Sequence, residues 1–89
     1  PEIIPVNKNQ WGRNGKIVYR LKDQGAGIAS YRGTIDGKYA LFGRPNIVKS
    51  YWECVLDPKH VKKGGKHTVE FTVTDGCGNE TIARESFVW

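Results

Sequence analysis

The stretch that decides the fold is His67-Thr-Val-Glu-Phe-Thr-Val-Thr-Asp75. Val69, Phe71 and Val73 point one way, while Thr68, Glu70, Thr72 and Thr74 point the other, which is the two-residue period of a half-buried strand. β-branched residues dominate it, as a pleated surface prefers. On its C-terminal side Asp75-Gly-Cys-Gly-Asn79 reads as a turn, and a last strand is expected from Glu80 to Trp89. Neither the Thr81, Ala83, Phe87, Trp89 set nor the Ile82, Val88 set of that last strand is cleanly apolar, so a bulge that switches faces is one reading of it.

On the N-terminal side Gly64-Gly65 and Asp57-Pro58 break the chain before an expected strand at Ile47–Leu56, with Ser50, Trp52, Cys54 and Leu56 on one face. Asp36-Gly37 separates Ile28–Ile35 from Lys38–Phe42, and Asp-Gly between two such runs signals a tight hairpin whose central residues need positive φ. Lys16–Lys22 turns Ile17, Tyr19 and Leu21 inward. A short strand around Ile3–Val6 is confined to a sheet edge by Pro5. Helix periodicity is almost absent, and eleven glycines and four prolines cut the chain into short pieces. These are about seven strands with turns at regular spacing, which predicts one all-β domain over residues 1–89, an immunoglobulin-like antiparallel β-sandwich.

The chain of 89 residues is enough for one small domain. No run approaches the roughly 18 apolar residues that a membrane helix needs, so no membrane span is expected. Pro1–Val6 is no signal peptide, and a chain that starts at a proline and stops on Trp89 within a strand reads as a fragment of a longer protein. Fourteen Lys and Arg against nine Asp and Glu give a net charge of +5. The only dense basic stretch, Lys59–Lys66, is interrupted by Gly64 and Gly65 at a turn, which favours scattered solvated lysines over nucleic-acid binding.

Two cysteines are present. If successive strands alternate in direction, the loop at Asp23–Gly27 and the turn at Gly76–Asn79 share one end of the sandwich, and Cys54 lies near the other. Cys77 is then roughly 15–20 Å away at ~3.3 Å per strand residue, whereas a disulfide needs Cα atoms within about 7 Å. Two unpaired thiols are expected, with Cys54 buried as a small hydrophobe.

Catalytic constellations are missing. His60 and His67 form neither an H-x-H nor an H-x-x-x-H pattern, and their expected places are a turn and a strand start. Ser30, Ser50 and Ser86 lie on strands with no nucleophile elbow, and Cys77 has no histidine near it. The expectation is no enzyme and no cofactor. Asp23, Asp75 and Asn79 carry the oxygen atoms that a calcium ion accepts, but about six or more ligands are needed. Asp and Asn are also the residues that bond their own backbone in turns, the plainer reading. Among the aromatic residues, Trp52 and Tyr19 are expected in the core. Trp11, in the polar run Asn7–Gly15, and Tyr39 with Phe42 on the hairpin are the candidates for a contact surface.

The segments Gly25–Phe42 (GAGIASYRGTIDGKYALF), Gly65–Asn79 (GKHTVEFTVTDGCGN) and the terminal Phe87-Val-Trp89 resemble an Ig-like domain found C-terminal to the catalytic domain of Bacteroidetes peptidases of the M23, lysostaphin-like, class. The resemblance covers about Lys16–Trp89, and Ser30–Lys38 is its most specific part. It implies an exported protein of the periplasm or outer cell envelope, and a parent enzyme that cleaves peptidoglycan cross-links at a zinc centre. The zinc-binding H-x-x-x-D and H-x-H patterns of that class are absent here, so no catalytic residue transfers. What transfers is an accessory role, with the catalytic domain of the same polypeptide, peptidoglycan or another glycan as partners and a monomer as the expected state. The other readings are a glycan-binding module of a surface or polysaccharide-degrading protein, and a spacer or adhesin repeat.

Overall fold

The computed structural model describes residues 1–22, 27–46 and 50–89, with 44–46 as backbone only. Its strands are β1 (Glu2–Pro5), β2 (Lys16–Lys22), β3 (Ile28–Ile35), β4 (Lys38–Ala40), β5 (Gly43–Asn46), β6 (Tyr51–Val55), β7 (Lys66–Asp75) and β8 (Glu80–Val88). They form two four-stranded sheets, ordered β1-β2-β6-β5 and β4-β3-β7-β8, with every neighbouring pair antiparallel. An all-β sandwich is thus present, with eight described strands instead of about seven.

The additional strand arises where one long strand was expected at Ile47–Leu56. Ser50 takes φ 56, a left-handed conformation that ends any strand before it, so β6 starts at Tyr51. The strand before it, β5, holds Pro45 at a sheet edge, where a missing N–H costs no ladder bond. Residues 47–49 lie outside the described residues. The hairpin forms as its Asp-Gly demands, with φ 53 at Asp36 and 80 at Gly37.

The two-residue period carries through to burial. Ile17, Tyr19 and Leu21 of β2 face Val69, Phe71 and Val73 of β7 across the core, all at 5% exposure or less. Tyr19 and Phe71 stack face to face, with centroids 5.2 Å apart and planes 4° from parallel. Such a pair contributes about 0.5–1.5 kcal/mol beyond the area it buries. Trp52 and Cys54 of β6 are buried as expected. The last strand shows no bulge: β8 pairs with β7 in unbroken register from Thr74↔Glu80 to Lys66↔Val88. Its Thr81, Ala83, Glu85 and Phe87 turn inward, whereas Ile82 and Val88 are exposed. Register shifts occur instead in β3, between Ile28 and Ser30, and in β5, between Gly43 and Asn46.

The two sides of the sandwich close differently. On the side of β1 and β8, the chain leaves β1 through Asn7, at φ 51, into a short 3-10 helix at Lys8–Gln10 and then α1 (Trp11–Asn14), which Gly15 ends at φ 68. On the other side, Leu41 and Phe42 carry the chain from β4 across to β5.

Candidate functional site

Of the three aromatic residues expected on a contact surface, two are in the core. Trp11 is 1% exposed. Its ring meets Tyr19 edge-on at 5.4 Å and Phe87 at 6.1 Å, and its Nε1–H donates to the Val6 carbonyl at 2.9 Å. The polar run around it is a one-turn helix laid over the open side of the sandwich, and four helical residues are too few to display an apolar face in sequence. Phe42 is 2% exposed and fills the space left by the missing side chain of Gly33, with its ring 4.6 Å from that of Phe71. A glycine within a strand is the signal for such a close approach, so Gly33 offered a clue to the position of Phe42.

Tyr39 remains on the surface at 70% exposure, and Leu41 joins it at 75%. Alternation puts both on the outer side, because Ala40 and Phe42 turn inward. The register continues from Tyr39 to Thr34, Glu70 and Arg84 across the outer face of the second sheet. Arg84 donates to Glu70 through Nε and Nη2 at 3.1 and 2.9 Å. With Thr68, Thr72 and Thr74 on the same side of β7, the hairpin pair stands at the edge of a face rich in hydroxyl groups.

The loop site proves to be a closed turn. Asp75 Oδ1 accepts the N–H groups of Cys77 and Asn79 at 2.9 and 2.8 Å, and its Oδ2 accepts the Asn79 side-chain amide at 3.1 Å. The Asn79 N–H bond is the main force holding the Asp75 carboxyl below its usual range, with the Asn79 amide, the Cys77 N–H and the Pro1 amino group adding to it. The carboxylate that a cation would use is thus directed into its own turn. Asp23 lies outside the described residues. The end assigned to this turn is right, since the Gly76 N–H donates to the Gly27 carbonyl at 3.2 Å. Among the described residues no group of three or more His, Cys, Asp or Glu side chains is arranged to hold a metal ion.

The opposite end holds a cluster that the sequence did not reveal. The Asp36 carboxylate at the hairpin tip accepts the Thr68 N–H at 2.9 Å and lies 2.6 Å from His67 Nδ1. An ionised carboxylate only accepts, so Nδ1 carries the proton and donates. The Asp36 N–H in turn donates to the Thr68 carbonyl at 2.8 Å. His67 is buried, with its ring 5.5 Å from that of Phe87. Residues 31 positions apart thus fasten the hairpin to the start of β7. Hydrogen bonds from His67 and then Thr68 lower the Asp36 pKa.

Both cysteines are free. Cys54 is buried and Cys77 is exposed in its turn. Burial pushes the Cys54 thiol up to about 11. Among the described residues no helix is long and apolar enough to cross a membrane. Comparison with protein-family models, with curated proteins and with solved structures finds no match to this chain.

Proposed function

We propose that this chain is a non-catalytic immunoglobulin-like accessory module of an exported peptidoglycan peptidase of the cell envelope, which positions substrate or docks a partner for the catalytic domain of its own polypeptide. The observation that carries the reading is the strand order. Immunoglobulin constant domains face strands A-B-E-D against C-F-G, and variable domains extend the second sheet with C′. The order β1-β2-β6-β5 against β4-β3-β7-β8 corresponds to A-B-E-D against C′-C-F-G. Immunoglobulins join strands B and F through a disulfide. Here the stacked rings of Tyr19 on the second strand and Phe71 on the seventh stand at the equivalent junction. The resemblance of Gly25–Phe42 and Gly65–Asn79 to M23-associated domains suggests the setting.

A glycan-binding module of a surface protein is the second reading, favoured by exposed Tyr39 and Leu41 beside the hydroxyl-rich face. Retention on purified peptidoglycan and on soluble neutral glycans, measured as salt is raised, separates the two. Retention on peptidoglycan alone supports the envelope module, and retention on neutral glycans alone supports the second reading. Binding to neither would sink a substrate-positioning role.

A further inference from the structure

We infer that the end of the sandwich built from α1 and the β6–β7 connection is a docking surface for a carboxylate-bearing polymer. The inference rests on the envelope reading for its natural partner, the acidic stem peptides of peptidoglycan. In sequence, Lys59–Lys66 is an interrupted basic turn. The fold makes more of it. Leu56 donates to the Gly15 carbonyl at 2.8 Å, which brings the start of this connection to the end of α1. Gly64 and Gly65 donate to the Trp89 carbonyl, and Trp89 donates back to Gly65 at 3.0 Å. Val61 is 8% exposed and anchors the middle of the loop in the core, which turns its lysines outward. Arg13, Lys59, Lys62, Lys63 and Lys66 are therefore exposed at one end.

None of the five has a salt bridge among the described residues, in contrast to Lys8 with Glu85, Lys16 with Glu53 and Arg84 with Glu70. Asp57 and Asp36 at this end are already engaged: Asp57 accepts the Lys59 backbone N–H, and Asp36 is bound to His67 and Thr68. A hollow between α1 and β8 lies beside this surface, with Arg13 on its wall and Lys8 paired to Glu85. Unopposed cations held together on a rigid end create a local field that concentrates anions.

Trp89 at this end has Lys63 Nζ 5.6 Å from its ring centroid instead of offering an open platform for base stacking, which favours a carboxylated polymer over a single-stranded nucleic acid.

The test compares the chain with the K59Q/K62Q/K63Q variant and with a charge-matched control, R20Q/K22Q/R32Q, on four probes. These are purified peptidoglycan, the same material with its carboxylates amidated, polyglutamate and single-stranded DNA, with circular dichroism verifying that each variant folds. The expected result is binding to native peptidoglycan that weakens about tenfold or more in the first variant and after amidation, and little in the control. Equal losses in both variants, undiminished binding to amidated material, or tighter binding to DNA would overturn the inference. If the first variant still binds peptidoglycan as well as the parent does, the basic end is excluded while the envelope reading stands. If polyglutamate is bound through these lysines but peptidoglycan is not, the docking chemistry holds and the envelope reading falls.

Discussion

Tyr19 and Phe71 lie parallel across the interior, one from each sheet, with their ring centres 5.2 Å apart. The stack is the middle of a larger cluster: Trp11 and Phe42 approach Tyr19 from the two sides of the sandwich, and Phe42 and Tyr31 also touch Phe71. With both thiols free, this cluster takes the place of a covalent tie between the sheets. Its two central members contribute differently. Phe71→Ala leaves a cavity under three neighbouring rings, those of Tyr19, Tyr31 and Phe42, and is expected to cost about 3–5 kcal/mol. The Tyr19 hydroxyl is buried and has no hydrogen-bond partner among the described residues, and burial, then the charge of Glu85, raises its pKa. Removing an unsatisfied group in Tyr19→Phe should leave stability unchanged or raise it by up to about 1 kcal/mol. Urea unfolding checks both, and a loss above that size for Tyr19→Phe would show that the hydroxyl is partnered.

The Gly33–Phe42 contact gives a second expectation. A Cβ on Gly33 would collide with the Phe42 ring, while the glycine has no left-handed φ that would itself forbid alanine. Gly33→Ala should therefore cost about 1–3 kcal/mol through overpacking alone. Phe42→Leu in the same chain should recover part of the loss, so the two changes will be non-additive in a double-mutant cycle.

At Asp36 the expectation concerns pH. Hydrogen bonds from His67 and Thr68 depress its folded pKa below the unfolded value, so its contribution is complete above about pH 4 and disappears as the pH falls through the folded value. Asp36→Asn suits the left-handed turn position, since Asn-Gly forms the same hairpin, and so removes the charge without disturbing the turn. Its urea midpoint should be lower than the parent's at pH 6, and the gap should narrow as the pH falls below 4. A gap that stays constant to pH 2.5 would mean that the carboxylate charge plays no part.

The thiols should differ in reactivity. Cys77 is exposed, whereas Cys54 is buried, with burial pushing its thiol up to about 11. Intact mass after native alkylation at pH 8 without reductant should show one adduct, assigned to Cys77 by peptide mapping, and two adducts in urea. An unalkylated chain two mass units light would mean a disulfide and a different topology.

The candidate site was only partly legible. Asp75 and Asn79 announce a turn because the Asp75 carboxylate accepts backbone N–H groups within four residues and the Asn79 amide donates back to it, a relation that spacing alone reveals. Tyr39 was readable as exposed, because it follows Asp36-Gly37 in a hairpin whose alternation is fixed by the turn. Trp11 and Phe42 were misread because each lies outside the strands, Trp11 in the connection between β1 and β2 and Phe42 where the chain crosses from β4 to β5, and there no strand period reports which way a side chain points. The Asp36–His67 pair was invisible for the same reason that any contact across 31 residues is: it depends on the register of β3 against β7.

Local physics therefore determined the strands. A period of two, β-branched residues and glycine turns act within a few residues, and together they specify which side chains of β2, β6 and β7 face the core. Tertiary structure decided what closes that core and what remains outside it. A Trp in a polar run became a plug because α1 folds over an open side, a Phe beside an exposed Tyr became core because Gly33 left room for it, and a broken lysine turn became a basic end because Gly15 and Trp89 hold it against α1. Each of these outcomes depends on the space and charge that distant segments leave, which no short window of sequence contains.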